Sequence, residues 1–151
     1  MTRGTLALAA VAATIVSTAA LLAQGKESVT VYKDPSCGCC AKWVEHLKQN
    51  GFTTKVMESK NLDDIKTQNH VPRQARSCHT ALVNGYAIEG HVPASDVQRL
   101  LKERPAIAGL AVPGMPIGSP GMEMPGRKAQ PFDVLAFDKN GETRVFASHG
   151  E

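Results

Sequence analysis

Aromatic residues make up only 5% of the 151-residue chain, and they do not interleave with basic side chains. That excludes the stacking platform a single-stranded nucleic acid requires. No long Lys/Arg run is present, and a formal net charge of +3 is too small and too scattered for an electrostatic nucleic-acid surface. A Walker loop, a G-x-G-x-x-G strand–helix turn, H-E-x-x-H and G-x-S-x-G are also missing, so nucleotide and hydrolase readings have no support. With 42% hydrophobic and 21% charged residues the chain is not disordered throughout. Its length allows one domain, or one small domain with an extension.

Charge is absent altogether from residues 4–24. Behind Arg3, an apolar run rich in Ala, Leu and Val occupies residues 6–23. A short basic start followed by such a run reads residues 1–23 as a secretory signal. Thr18-Ala19-Ala20 suits cleavage better than Leu21-Leu22-Ala23, which lacks a small residue three before the cut. An uncleaved anchor is the alternative, because about 18 apolar residues is near the minimum for a spanning helix. No Cys follows the run, which excludes a lipid-anchored cysteine. Both readings export the domain, with membrane contact only through an uncleaved segment.

Four cysteines are what the chain does have, and three of them fall within four residues: Cys37-Gly38-Cys39-Cys40, with Cys78 far downstream. An exported lone pair would default to a disulfide. Adjacent Cys39 and Cys40 are poorly disposed to pair with each other. A structural framework spreads its cysteines to close long loops, whereas this one gathers them at one point. That arrangement points to chemistry.

The gathering point can be placed on elements. Ser28-Val29-Thr30-Val31-Tyr32 is a β-branched run suited to a buried strand, broken by Lys33-Asp34-Pro35-Ser36. Cys40, Val44 and Leu47 recur at helical spacing with Trp43 beside them, and Asn50-Gly51 is a stop signal. Phe52 to Met57 alternates as a second strand, with Met57 expected in the core. Asn61 caps a short helix carrying Leu62 and Ile65. Residues 81–88 form a hairpin around Asn84-Gly85. Ser95 opens a last helix with Val97, Leu100 and Leu101 on one face. Residues 134–137 and 143–146 form a terminal hairpin. Strand, helix, strand, helix, hairpin, helix predicts an α/β sandwich with a parallel first pair.

The cysteines then sit where the first strand hands over to the first helix. Helix-start N–H groups and the dipole favour thiolate there, which is both nucleophile and metal ligand. Two uses follow: thiol–disulfide exchange through Cys37 and Cys40, or a soft metal held by several thiolates.

A strand leading to a C-x-x-C helix start resembles the thioredoxin and glutaredoxin superfamily. Tyr32-Lys33-Asp34-Pro35-Ser36-Cys37-Gly38-Cys39-Cys40 resembles, more specifically, the C-x-C-C signature of the CopG-like copper-resistance proteins of Gram-negative bacteria. So do Ser77-Cys78-His79-Thr80-Ala81, Glu89-Gly90-His91-Val92-Pro93-Ala94 and the stretch from Pro113-Gly114-Met115 to Gly121-Met122-Glu123. The likeness covers roughly residues 28–125. It implies a thioredoxin-like domain over 27–105 and a Pro/Gly/Met-rich C-terminal extension over 106–151 that helps to bind copper. It also implies several copper ions bridged by thiolates, a role in copper resistance or Cu(I)/Cu(II) interconversion, a periplasmic location, and copper efflux or carrier proteins as partners of a monomer.

The residues weigh the same way. Cu(I) prefers thiolate and thioether, then imidazole. A thioredoxin-like fold brings the span at Cys78 close to its C-x-x-C, yet Cys78-His79-Thr80 lacks the proline found there in that family. Residues 106–130 are too rich in Pro and Gly to continue a helix or join the middle of a sheet. Methionines there have no packing period to serve, so Met115 and Met122 are candidate ligands, with Met124 behind them. His46 should face away, about 240° round the helix from Cys40. His79 would oppose Cys78 in a regular strand, and a loop would relax that. His91 shares a face with Glu89 and reads as a surface pair on its own; the motifs give it and His79 weight as ligands. His70 lies in a polar loop, and His149 either folds back or frays. A thiol–disulfide or arsenate-reductase-like enzyme leaves Cys39 unexplained. A structural zinc site from Cys37, Cys40, Cys78 and His79 leaves Cys39 and the methionines idle.

Overall fold

A computed structural model describes residues 26–150. The signal segment expected at 1–23 lies outside the described residues. The β-branched run becomes β1 (Ser28–Lys33), which alternates into the core through Val29 and Val31. Helix α1 (Gly38–Gln49) follows, with Cys40, Trp43, Val44 and Leu47 as its buried stripe. Then come β2 (Thr53–Glu58), α2 (Leu62–Gln68), β3 (His79–Val83), β4 (Tyr86–Glu89) and α3 (Ala94–Glu103). Strands β5 (Gly109–Ala111), β6 (Phe132–Phe137) and β7 (Thr143–His149) complete the order.

The seven strands form one mixed sheet in the order β2-β1-β3-β4-β5-β6-β7. The β1–β2 pair is parallel, as the crossover helix requires, and β3 and β4 are an antiparallel hairpin turning at Asn84-Gly85. Strand alternation sends Val31, Ala81, Val83 and Ile88 to a core shared with Trp43, Leu47, Val97 and Leu100 of α1 and α3. Leu82, Ala87 and Phe137 pack on the opposite face with Val71 and Ala75. Each fully buried Leu, Val or Ile in these two layers contributes about 1.5–3 kcal/mol.

Several expectations are corrected. Residues 109–111 do join the middle of the sheet, parallel to β4 and antiparallel to β6. They precede Pro113, so every N–H the ladder uses is still present. Met57 is 41% exposed rather than core, because β2 is an edge strand that no helix covers on that side. Ser95 does not cap α3; Pro93 occupies the cap and the Ala94 N–H is taken by His46 Nε2 at 3.0 Å. Asn61 stands at the start of α2 but donates to Asp64 Oδ2 at 2.6 Å instead of capping the backbone. Among the described residues no helix is long and apolar enough to cross a membrane, and no peptide bond is cis.

Candidate metal centre

The turn between β1 and α1 is built to present sulfur. Cys37 sits at the N-cap of α1, where its Sγ accepts from the Cys40 N–H at 3.3 Å, and its own N–H donates to the Asp34 carbonyl at 3.0 Å. Lys33, only 6% exposed, donates through Nζ to the Asp34 carbonyl at 2.9 Å and so braces the turn from beneath. Cys37 and Cys40 are joined as a disulfide with their Cα atoms 5.4 Å apart. Cys39 is free, its Sγ 3.5 Å from that of Cys37.

Cys78 approaches from the other side of the sheet's end. It lies one residue before β3, in the connection from the 3-10 turn Arg73–Ala75, and its carbonyl oxygen is 4.0 Å from Cys40 Sγ. One ligating atom from each of Cys37, Cys39, Cys40 and Cys78 falls within 4.8 Å of the others, and so do those of Cys78, His79 and His91. Cys78 belongs to both groups. Its Sγ is 3.3 Å from His79 Nδ1 and 3.1 Å from His91 Nε2. Because Cys78 stands outside the regular strand, His79 need not oppose it.

Both histidines are fully buried, so the surface pair expected of His91 and Glu89 is not found. Gly90 makes this approach possible: a Cβ there would come within 2.7 Å of Ser77 Cβ and the Val112 carbonyl oxygen. His91 Nδ1 is 2.8 Å from the Pro120 carbonyl oxygen. A carbonyl only accepts, so Nδ1 carries the proton and Nε2 turns its lone pair to Cys78, the orientation a metal ligand needs. His79 Nε2 is buried with no partner, and its ring packs on Trp43 with centroids 4.4 Å apart. Burial lowers both imidazoles, His79 well below its ordinary value with help from His91 and Lys66, so both are neutral at pH 7. Burial, with Cys39 nearby, pushes the Cys78 thiol up to about 11.

The Pro/Gly stretch lies against this centre. The Ser77 hydroxyl donates to the Gly114 carbonyl at 2.5 Å, Pro120 holds His91, and Gly121 meets α1 so closely that a Cβ would be 2.9 Å from the Cys39 carbonyl oxygen and Trp43 N. These contacts come from neighbours of Met115 and Met122. The Met115 side chain is 51% exposed and that of Met122 is partly buried. Met124 is 48% exposed. His46 faces α3, and His149 folds back, its Nε2 2.7 Å from Asp96 Oδ2.

Ser77, Trp43, Lys33 and the Pro120 carbonyl were not singled out from the sequence, because each acts through the folded backbone rather than a motif. Four sulfurs and two lone-pair-presenting imidazoles on one end of the sheet form a soft-metal donor set. The fold and centre thus define a mixed α/β protein with a cysteine-rich, metal-capable site.

Comparison with known proteins narrows that class. The family described as "Protein of unknown function, DUF411" matches residues 75–122. Nothing among curated proteins matches the chain. Two solved structures do. "Copper resistance protein copG- Form 2" is 38% identical with a TM-score of 0.78, covering 83% of this chain and 99% of that one. "Copper resistance protein copG- Form 1" is 40% identical with a TM-score of 0.77, covering 82% and 98%. The chain belongs to the CopG copper resistance protein family.

Proposed function

We propose that the protein binds copper as cargo in the periplasm, holding several ions bridged by the thiolates of Cys37, Cys39, Cys40 and Cys78. The observation that carries the reading is the convergence of all four sulfurs within 4.8 Å, with Cys78 shared by a second group that includes His79 and His91. Thiolates favour Cu(I), and imidazoles accept either oxidation state, so the shared cysteine suits a centre that interconverts Cu(I) and Cu(II). The full thiolate set exists only after the Cys37–Cys40 disulfide is reduced. Closing that disulfide releases two electrons, which balances the reduction of two Cu(II) ions to Cu(I). Met115 and Met122 complete the site as thioether ligands when the loop over 113–122 closes further. Copper efflux or carrier proteins deliver and remove the metal, and the protein acts as a monomer.

Exchange of the Cys37–Cys40 disulfide with other proteins is the second reading, favoured by that bond alone. It leaves Cys39, Cys78 and both buried imidazoles without a role. X-ray absorption of the copper-loaded reduced protein tests the first reading. Sulfur-dominated coordination with short copper–copper scattering is expected; isolated copper ringed by oxygen and nitrogen would contradict it.

A further inference from the structure

Behind the centre, on the sheet face opposite Trp43, lies a group of charges that copper binding does not itself require. Lys66 on α2 is 4% exposed and Glu89 on β4 is 0% exposed. Residues of these types are almost never fully buried unless paired. Lys66 Nζ donates to Glu89 Oε1 at 2.6 Å and to Thr80 Oγ1 at 3.0 Å. The Thr80 hydroxyl donates to Glu89 Oε2 at 2.6 Å, and the Ser77 N–H donates to Glu89 Oε1 at 2.6 Å.

Net stability does not account for the arrangement, since a buried ion pair is often matched or exceeded by apolar residues of similar volume. Its placement does. One carboxylate grips the chain at residue 77 and again at residue 80, and the two residues between the grips are Cys78 and His79. Ser77 precedes β3, so its N–H has no strand partner, and Glu89 is the acceptor it finds. Through its hydroxyl the same serine holds Gly114 of the methionine-bearing loop. The hydrogen bonds of the Glu89 carboxylate go to Lys66, the Ser77 amide and the Thr80 hydroxyl rather than to a sulfur or imidazole, so it acts on the ligands through residues 77 and 80.

We propose that Glu89, fixed by Lys66 and Thr80, is the positioning residue that holds Cys78 and His79 in metal-binding register and ties them to the loop over 113–122. The inference rests on the reading of the centre as a copper site. Outer partners of this kind typically change metal affinity by about 10–100-fold when removed.

The test measures Cu(I) affinity of the anaerobically reduced protein by competition with a chromogenic chelator, alongside the thiolate-to-copper charge-transfer spectrum and the metal-free Tm. Wild type is compared with Glu89→Gln, Thr80→Val and Thr80→Ser. Thr80→Val preserves shape and leaves the Lys66–Glu89 pair intact, so it decides the matter if Glu89→Gln does not fold. Expected is a loss of roughly 10–100-fold in affinity for Glu89→Gln and Thr80→Val, with unchanged stoichiometry and a shifted spectrum, and restoration in Thr80→Ser. Wild-type affinity and spectrum in the folded variants would overturn the proposal. So would an affinity loss that only follows Tm and is not rescued by serine. Failure of the wild type itself to take up copper would overturn the copper reading, and this inference with it.

Discussion

Cys39 is the residue that separates the uses of a C-x-x-C turn. It takes no part in the Cys37–Cys40 disulfide, yet its sulfur stands 3.5 Å from that of Cys37. Cys39→Ser is expected to lower copper bound per chain as much as Cys37→Ser does, measured by metal analysis after anaerobic loading; a dithiol enzyme would tolerate the change. Cys78 gives a pH prediction. Its thiol, pushed up to about 11 by burial, keeps its proton at neutral pH, and copper must displace it. Affinity should therefore rise with pH, by roughly tenfold per unit for this one proton, as read from chelator competition between about pH 6.5 and 7.5. Burial lowers both imidazoles, so they add little to this slope, and what they add has the same sign, since a proton on a ligand nitrogen also competes with copper. A flat profile would contradict the assignment of Cys78. Residue type and motif singled out the four cysteines, His79 and His91 as candidates, and the fold brings them together in two groups that share Cys78. What the sequence could not display was their environment: helix-start logic describes Cys37 to Cys40, whereas Cys78 sits half-buried in a connection where desolvation is the largest influence on its thiol.

Among the elements, the loop over 113–122 carries the most consequence. Its clustered Pro and Gly marked it as irregular, and its methionines marked it as a source of candidate ligands, but its seat on α1 depends on a contact between residues far apart in sequence. Gly121 has φ +86°, and a Cβ there would press on the Cys39 carbonyl and Trp43 N at 2.9 Å, both backbone atoms that cannot rotate aside. Gly121→Ala should lift the loop, freeing the Pro120 carbonyl from His91 Nδ1. The expected result is about tenfold weaker copper binding, since the carbonyl that orients the imidazole is lost, with little change in the metal-free Tm. Unaltered copper affinity would show that the loop plays no part. Strand β5 escaped the sequence reading for a related reason: three residues, Gly109 to Ala111, are too short to show a period, and the prolines beyond them dominate the local signal.

At the scale of the whole molecule, the β1–α1 crossover brings Cys37, Cys39 and Cys40 to one end of the sheet, and the β3–β4 hairpin brings Cys78, His79 and His91 to the same end. The alternation of strands and helices made that architecture readable, because the apolar periods of β1, α1, the β3–β4 hairpin and α3 match the faces they bury. The joining of β5, β6 and β7 to the same sheet was not readable, since strand pairing across 20 or more residues leaves no local mark. The central claim is that this convergence makes one polynuclear thiolate site. Anaerobic titration of the reduced protein with Cu(I) against a chromogenic competitor, read as copper per chain, tests it most directly. Tight uptake of more than one copper per chain is predicted; no competition for Cu(I), alongside ready closure of the Cys37–Cys40 disulfide, would contradict it.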